Sequence, residues 1–232
     1  MKKFLISFLT IFIFSLYAQN FTVPALTGRV VDKANVLSIQ EKNELENACK
    51  SFEKKTGGQF AICIVPNIEG ESIESASIKV AETWKIGHKD KDNGIIFLLS
   101  MKEREFRIEV GYGFEGKLND AKAGNIGRIV IPKFKEKKWC EGIKFIVNST
   151  EQILSGEKTY EEITKTSTLG TSIKMIISII IIILIIFAIV NSDDFPSSSS
   201  GGSFGGGSSG GSGSSFRGGG GSFGGGGFSG KF

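Results

Sequence analysis

The sequence predicts an α/β protein: a three-layer α/β/α sandwich whose sheet is mostly parallel, with one antiparallel strand from a hairpin. Short apolar runs typical of buried strands alternate along the chain with segments whose apolar residues recur every three or four positions, as in amphipathic helices. Strands that alternate with helices form parallel sheets, because each helix returns the chain to the same end of the sheet. Near the middle, two apolar runs follow each other after a short connection, which indicates a β-hairpin.

The first elements are a strand, a helix and a second strand. Gly28–Asp32 is a short apolar run that ends on a carboxylate, and Gln59–Val65 is a longer apolar run. Between them, Ser38 and Glu41 form a capping box, in which each side chain accepts a hydrogen bond from a free amide at the helix start. Gly57–Gly58 ends this helix, because glycine readily takes the left-handed conformation of a helix C-cap.

The hairpin and three more helices complete the predicted order β-α-β-α-β-β-α-α. Ser72 caps the second helix, which precedes the hairpin. After the hairpin, Asn119 or Asp120 caps a helix that Pro132 kinks or ends. The last helix covers about residues 139–154, where apolar residues again recur every three or four positions.

The hairpin lies within Lys91–Asp120, on which the functional prediction depends. Gly94–Ser100 is almost wholly apolar, as expected for an inner strand buried on both faces. In the second strand, apolar residues alternate with Arg107 and Glu109, which predicts one buried and one exposed face. The connection is short, so the two strands should be antiparallel neighbours.

The register of this hairpin predicts a cluster of acidic residues. If Ser100 lies opposite Glu105, Asp92 lies opposite Gly113, at the end that carries the glycine-rich turn 111–116. Carboxylates beside exposed backbone carbonyls suit calcium or magnesium, which bind six or more oxygens. The candidate ligands are Asp32, Asp92, Glu115 and Asp120. The alternative is that each aspartate merely caps a turn or a helix.

A catalytic role is a second interpretation of the same acidic residues. A cation that they hold would activate water against a phosphate ester. The sequence shows no obvious nucleophile, and Arg104, Arg107 and Arg128 are scattered along the chain. No residue is therefore assigned as catalytic.

Other kinds of site are excluded or disfavoured. His88 is the only histidine and lies in a charged loop, so a histidine-rich zinc site cannot form and a catalytic triad is disfavoured. Residues 111–116 match GxGxxG, but the next helix starts only near Asp120 and no second strand follows it. A net charge of +4 without a basic stripe gives no indication of nucleic-acid binding. Cys49 and Cys63 are either a disulfide or two small buried hydrophobic residues, and the second interpretation is favoured.

Two apolar segments predict export and membrane anchoring. Residues 1–18 have a basic start, an apolar core and the small residue Ala18, as in a secretory signal peptide, with an uncleaved anchor as the alternative. Residues 173–190 are apolar apart from Lys174 and Ser178, and 18 helical residues rise about 27 Å, close to the hydrocarbon thickness. We therefore expect one transmembrane helix after a linker, residues 157–172.

The predicted orientation places the globular domain outside the cytoplasm and the tail inside it. The signal peptide favours this orientation, whereas Lys165 and Lys174 before the span and Asp193 and Asp194 after it favour the reverse. Residues 191–232 are predicted to be disordered, because this Gly/Ser/Phe-rich stretch has too little apolar surface to offset its chain entropy.

Three blocks of sequence resemble the TPM domain family. They are GRVVDKANVLS from Gly28, DNGIIFLLS from Asp92, and RIEVGYGFEGKLND from Arg107, and the resemblance covers about Leu26–Leu154 within a domain of residues 26–156. The family includes YgcG-type bacterial membrane proteins with a signal peptide, one transmembrane helix and a Gly/Ser-rich tail. It also includes a thylakoid-lumen protein implicated in photosystem II repair.

The resemblance implies an α/β/α sandwich with an acidic, calcium-binding surface site. By motif, that site falls on Asp92, Glu115 and Asp120, and less firmly on Asp32. The expected function is a single-pass protein of the inner or plasma membrane. Its periplasmic domain would bind a divalent cation and assist the assembly, repair or maintenance of other envelope or membrane proteins. The alternative is a metal-dependent phosphatase that acts on phosphomonoesters.

Overall fold

The computed structural model describes residues 20–158, 162, 179–185 and 216–232. The chain divides into two units: one contains the chain as far as Thr159 together with Phe216–Phe232, and the other contains Tyr160–Ser215. The first unit is an α/β domain built on a five-stranded mixed sheet. Within the second unit, residues 179–185 are helical and exposed.

The strands lie in the sheet in the order in which they occur along the chain. They are β1 (Val30–Asp32), β2 (Gln59–Val65), β3 (Gly94–Ser100), β4 (Glu105–Gly111) and β5 (Phe223–Lys231). The strands β1, β2 and β3 pair in parallel, and β4 is antiparallel to both β3 and β5. The predicted parallel sheet with one antiparallel strand is therefore confirmed, and β5 is an additional strand at its edge.

In the described part of this domain, five helices cover the two faces of the sheet. They are α1 (Ile39–Thr56), α2 (Ile73–Trp84), α3 (Tyr112–Glu115), α4 (Asp120–Lys135) and α5 (Trp139–Ser155). On one face, Ala76 and Val80 of α2 pack in a buried cluster with Cys63 of β2 and Leu98 of β3. On the other face, aromatic side chains join strands to helices, as in the edge-to-face contact of Phe52 with Phe60 at 5.3 Å. The result is the predicted order of layers, α/β/α.

Local signals placed the four long helices of the domain correctly. Ser38 and Glu41 form the predicted capping box at α1, and Gly57 ends that helix with a φ of 71°. Ser72 and Asn119 cap α2 and α4. Pro132 lies inside α4, which continues to Lys135, so its predicted role as a helix end is wrong. The predicted glycine turn 111–116 is also wrong in part, because it contains α3.

The prediction of a disordered tail is wrong for residues 216–232. Phe223–Lys231 forms β5, which pairs with β4 from Gly111 to Glu105. A glycine-rich strand is stable here because β4 supplies a preformed edge of free backbone donors and acceptors, so the strand needs little apolar surface of its own. We call Phe216–Phe232 the Gly/Phe segment. The tail residues before it lie outside the described part of the chain.

The structure describes only a small part of the segments that were predicted to be related to the membrane. The signal peptide, residues 1–18, lies outside the described residues, as does most of the apolar stretch 173–190. Among the residues that the structure describes, none of the helices has both the length and the apolar character needed to cross a membrane. Cys49, Cys63 and Cys140 are free and buried, and the bridge between the first two is not formed.

Candidate functional site

Asp32 lies apart from the other three predicted ligands. It pairs in register with Ile64, which is adjacent to Leu99, so it lies at the carboxyl end of the parallel strands. Asp92 comes seven residues before Leu99, which corresponds to roughly 23 Å along a strand. The carboxylate of Asp32 accepts hydrogen bonds from the backbone N–H groups of Ala34, Val36 and Leu37 at 2.9–3.0 Å. Asp32 therefore caps the turn after β1.

Asp92, Glu115 and Asp120 lie at the other end of the sheet, and we call them the acidic end. The hairpin register that predicted this is confirmed: Ser100 pairs with Glu105, and the N–H of Gly113 donates to the carbonyl of Asp92 at 3.0 Å. Glu115 and Asp120 line one open pocket, together with Tyr112, Asn119, Ala121 and Gly224–Gly226. The hairpin and the turn after it thus gather these acids at one end of the sheet.

All three acids contact the Gly/Phe segment. Asp92 accepts a hydrogen bond from the backbone N–H of Ser222 at 2.7 Å, and Asp120 accepts one from Gly227 at 2.8 Å. The side chain of Glu115 lies close to Gly226, since a Cβ atom there would be 2.5 Å from Oε1 of Glu115. Asp92 and Asp120 therefore bind main-chain amides in this structure.

The side chains at the acidic end do not form a complete calcium site in this state. Calcium requires six or more oxygens, and the pocket supplies the carboxylates of Glu115 and Asp120, the second of which already accepts an amide hydrogen. Across the described residues, no group of three or more His, Cys, Asp or Glu side chains is arranged to hold a metal ion.

Sequence reasoning missed a buried ion pair beside the Gly/Phe segment. Arg107 and Glu109 were expected on an exposed face of β4, but they are 6% and 0% exposed. Nε of Arg107 lies 2.5 Å from Oε2 of Glu109, which also accepts from the hydroxyl of Ser77 at 3.0 Å. Burial raises the pKa of Glu109, and Arg107 and Ser77 oppose that rise. Helix α2 covers this face of β4, and the neighbouring strand β5 contacts the guanidinium of Arg107, so both side chains are buried.

The guanidinium of Arg107 also binds the Gly/Phe segment. Its Nη2 donates to the carbonyl of Gly225 at 2.7 Å, and its Nη1 donates to Oγ of Ser229 at 3.0 Å. The hydroxyl of Ser229 in turn donates to Glu74 at 2.5 Å, which lowers the pKa of that carboxyl. Arg107 thus joins the ion pair within the domain to the backbone of β5.

The first part of the Gly/Phe segment is held by the side chain of Gln59, at the start of β2, and by Arg29. Nε2 of Gln59 donates to the carbonyl of Arg217 at 3.0 Å, and Oε1 of Gln59 accepts from the N–H of Gly219 at 3.1 Å. The ring of Phe216 is buried, and the guanidinium of Arg29 lies 4.3 Å from its centroid. Gln59 satisfies both a donor and an acceptor of the segment, as one more residue of a strand would.

The last part of the segment is held by two aromatic side chains. The ring of Phe228 lies 6.0 Å from the ring of Phe106, under the guanidinium of Arg128 at 5.6 Å. The ring of Phe232 packs against two rings of the domain, Phe134 at 5.7 Å and Trp139 at 5.3 Å. The edge of the sheet therefore carries an acidic end, a buried arginine and aromatic contacts, all of which bind one extended segment.

The profile of the TPM domain matches residues 30–153. The chain belongs to the TPM domain family. The matched span runs from the start of β1 into α5 and ends before the Gly/Phe segment. In the TPM domain of this chain, strand β4 is thus the edge strand of the matched part, and β5 is added to it from outside that part.

Two solved structures resemble this TPM domain. The N-terminal domain of a protein from P. gingivalis is 27% identical, with a TM-score of 0.50, and the alignment covers 58% of this chain and 90% of that domain. The N-terminal domain of protein cg2496 from Corynebacterium glutamicum is 12% identical, with a TM-score of 0.46, over 62% of this chain and 88% of that domain. No curated protein matches the chain.

Proposed function

We propose that this chain is a membrane-associated, extracytoplasmic protein with a TPM domain. It assists the assembly, repair or maintenance of envelope or membrane proteins by binding an extended, glycine-rich polypeptide segment along β4. The observation that supports this proposal is the pairing of β5 with β4, since β5 comes from a distant part of the chain. Addition of a strand to an exposed sheet edge is a common way for domains to bind peptides.

The contacts are those expected of a peptide-binding edge. Backbone pairing with β4 supplies affinity that does not depend on side chains. Asp92 and Asp120 accept backbone N–H groups, and Arg107 donates to a backbone carbonyl, so three charged side chains bind main-chain atoms. Charge-assisted hydrogen bonds of this kind are roughly twice as strong as neutral ones. An accessory factor that holds extended segments of other proteins needs this type of recognition.

Limited cleavage of the full chain tests this proposal. With a specific protease site inserted between residues 196 and 215, the fragment that carries the Gly/Phe segment should stay bound after cleavage and co-elute with the domain. A synthetic peptide of residues 216–232 should displace it in a saturable manner. The control peptide contains N-methylglycine at positions 224–227, which keeps the composition but removes backbone donors such as that of Gly227. Equal displacement by the control, or immediate loss of the fragment, would refute strand addition.

Pairing of β4 with β5 also constrains the membrane topology that we propose. Two strands of one sheet occupy one compartment, so the Gly/Phe segment lies on the same side of the membrane as the TPM domain. An 18-residue stretch such as 173–190 is long enough for about one crossing. We therefore propose that the tail lies outside the cytoplasm, and not inside it as the sequence predicted. In this arrangement the apolar stretch associates with the membrane without placing the two strands on opposite sides.

Thiol labelling provides the test of this topology. Glu82 in the domain and Arg217 in the Gly/Phe segment are both exposed, and the native cysteines are buried. In intact cells, a membrane-impermeant maleimide should label Glu82→Cys and Arg217→Cys to a similar extent. The measurement is the labelled fraction before and after permeabilisation. Labelling of Arg217→Cys only after permeabilisation, with Glu82→Cys labelled before it, would refute the same-side arrangement.

We further propose that the acidic end binds a divalent cation, preferably calcium, when the Gly/Phe segment is released. The segment satisfies Asp92 and Asp120 with amide hydrogens, and these are the oxygens that a hard cation would require. Cation and segment are thus expected to compete for the same carboxylates. Asp32 takes no part in this proposal, because it lies at the opposite end of the sheet.

Calcium should therefore raise the melting temperature only when the segment is weakened. In the double variant Phe228→Ala/Phe232→Ala, calcium should give a rise that the unmodified chain lacks, because a ligand that binds the folded state stabilises it. Scanning calorimetry with and without calcium measures the difference, and Asp120→Asn in the double variant should abolish it. Absence of any rise in the double variant would exclude the cation site, and equal rises would exclude competition.

The phosphatase alternative stays a prediction without structural support. None of the residues that line the pocket between Glu115 and Asp120 is basic. Arg107 is buried and bound to Glu109 and to the Gly/Phe segment. In this pocket, only a cation bound by the two carboxylates would supply positive charge to a phosphate group.

A further inference from the structure

We infer that the β4 edge selects a specific class of ligand: a glycine-rich strand with phenylalanines five and then four residues apart. In the Gly/Phe segment these are Phe223, Phe228 and Phe232. The inference rests on the proposed peptide-binding function and names the partner that fits this edge. Three receptor features support it: a slot between glycines of α4, an aromatic clamp, and backbone contacts that exclude a Cβ atom from the ligand.

The slot receives Phe228. A Cβ atom on Gly127 of α4 would lie 2.3 Å from the ring of Phe228, and one on Gly124 would lie 3.1 Å from it. Glycine inside a helix costs about 1 kcal/mol relative to alanine. Two glycines three residues apart on the helix face toward β5 therefore need a packing reason. The reason in this structure is the close approach of the Phe228 ring to the helix backbone.

The clamp receives Phe232. Its ring lies against Phe134 and Trp139, which also contact each other at 5.8 Å. The N–H of Phe232 donates to the carbonyl of Arg104 at 3.1 Å, and Nε of Arg104 donates to the main-chain oxygen of Phe232 at 2.6 Å. The clamp thus binds the ring and both backbone groups of one residue, which fixes its distance from the slot.

The ligand backbone must be glycine at one position between these two anchors, Gly230, and at one position before them, Gly227. Gly227 has a φ of 143°, and a Cβ atom there would lie 1.9 Å from the carbonyl oxygen of Ile108. A Cβ atom on Gly230 would lie 2.6 Å from the ring of Phe106. At the start of the ligand strand, the ring of Phe223 lies against a glycine of the domain, Gly94 of β3. A Cβ atom on Gly94 would lie 2.7 Å from that ring.

The required pattern is therefore Phe at the first, sixth and tenth positions, with Gly at the fifth and eighth. Other segments of this chain that are rich in glycine and phenylalanine, such as that around Phe204, lack the spacing. A partner that carries the pattern would replace the Gly/Phe segment by strand exchange. Its side chains would enter the same slot and clamp, and its amides would meet Asp92 and Asp120.

Competition with the cleaved full chain tests the inference. The three peptides cover residues 216–232: the native sequence, a version with Phe228 and Ser229 exchanged, and one with Phe232→Ala. The native peptide should displace the bound fragment, and the exchanged peptide, of identical composition, should need at least a tenfold higher concentration. The Phe232→Ala peptide should also be weaker than the native one.

The outcomes separate the inference from the proposed function. Equal competition by the native and exchanged peptides would overturn the required spacing of the phenylalanines and leave strand addition intact. Failure of every peptide, including the native one, to displace the fragment would overturn the proposed function itself. Tighter binding of the native peptide than of both variants supports the required spacing of the phenylalanines.

Discussion

Replacing Glu109 by glutamine should lower the free energy of unfolding by about 3–5 kcal/mol, the usual cost of removing one partner from a buried ion pair. Arg107 would then remain buried without its carboxylate partner. Its contacts with Gly225 and Ser229 are to neutral groups, and Glu74 is 4.0 Å away. Urea unfolding of the full chain near pH 7 measures the change.

The matched control is Glu105→Gln on the same strand. Glu105 pairs with Lys231 at 2.6 Å, but the lysine side chain is 79% exposed, so the loss should stay within about 1 kcal/mol. Exchange of both Arg107 and Glu109 for methionine should recover much of the stability, because buried ion pairs are often replaceable by apolar side chains. If the Glu109→Gln variant were as stable as the control, the ion pair would not be shielded from water beside β5.

The fold of the domain was predictable because its signals are local. Each strand from β2 to β4 is a run of seven residues with its own apolar pattern. The caps Ser38 and Ser72 lie within three residues of the amides that they accept from. The turn between β3 and β4 is short, so it fixes the hairpin register without help from the rest of the chain.

Strand β5 was not predictable because nothing local specifies it. Its nine residues contain five glycines, which weaken a strand through backbone entropy, and they show no apolar alternation. Pairing with β4, together with the slot beside Gly127, makes it a strand, and those partners are distant in sequence. The exposed face predicted for Arg107 and Glu109 was wrong for the same reason, since β5 contributes to its burial.

The candidate site was predictable in position but not in its ligand. Hairpin register correctly brought Asp92 and Glu115 to one end of the sheet, and the cap after α3 added Asp120. A sequence pattern cannot distinguish carboxylates that bind a cation from carboxylates that bind amide hydrogens, because both need unpaired oxygens near flexible backbone. In this structure the bound groups are amides of the chain itself.

Replacing Gly127 by alanine should release the Gly/Phe segment, although alanine is the better helix former by about 1 kcal/mol. The added Cβ atom would lie 2.3 Å from the ring of Phe228, and the backbone of α4 cannot withdraw without disturbing its packing on Phe106. Hydrogen exchange of the amides of Phe223–Lys231 measures the release. We expect exchange at least tenfold faster than in the unmodified chain, while the amides of β2 remain protected.

Two further variants separate a steric effect from a general loss of stability. Gly116→Ala adds a Cβ atom where no other atom lies within 4 Å, so exchange in β5 should not change. Phe228→Ala alone should also speed exchange, because the slot is then empty. Combined with Gly127→Ala, it should add little, since the alanine methyl then occupies space that the ring has left. Additive effects of the two substitutions, or unchanged exchange in Gly127→Ala, would show that the slot does not hold Phe228.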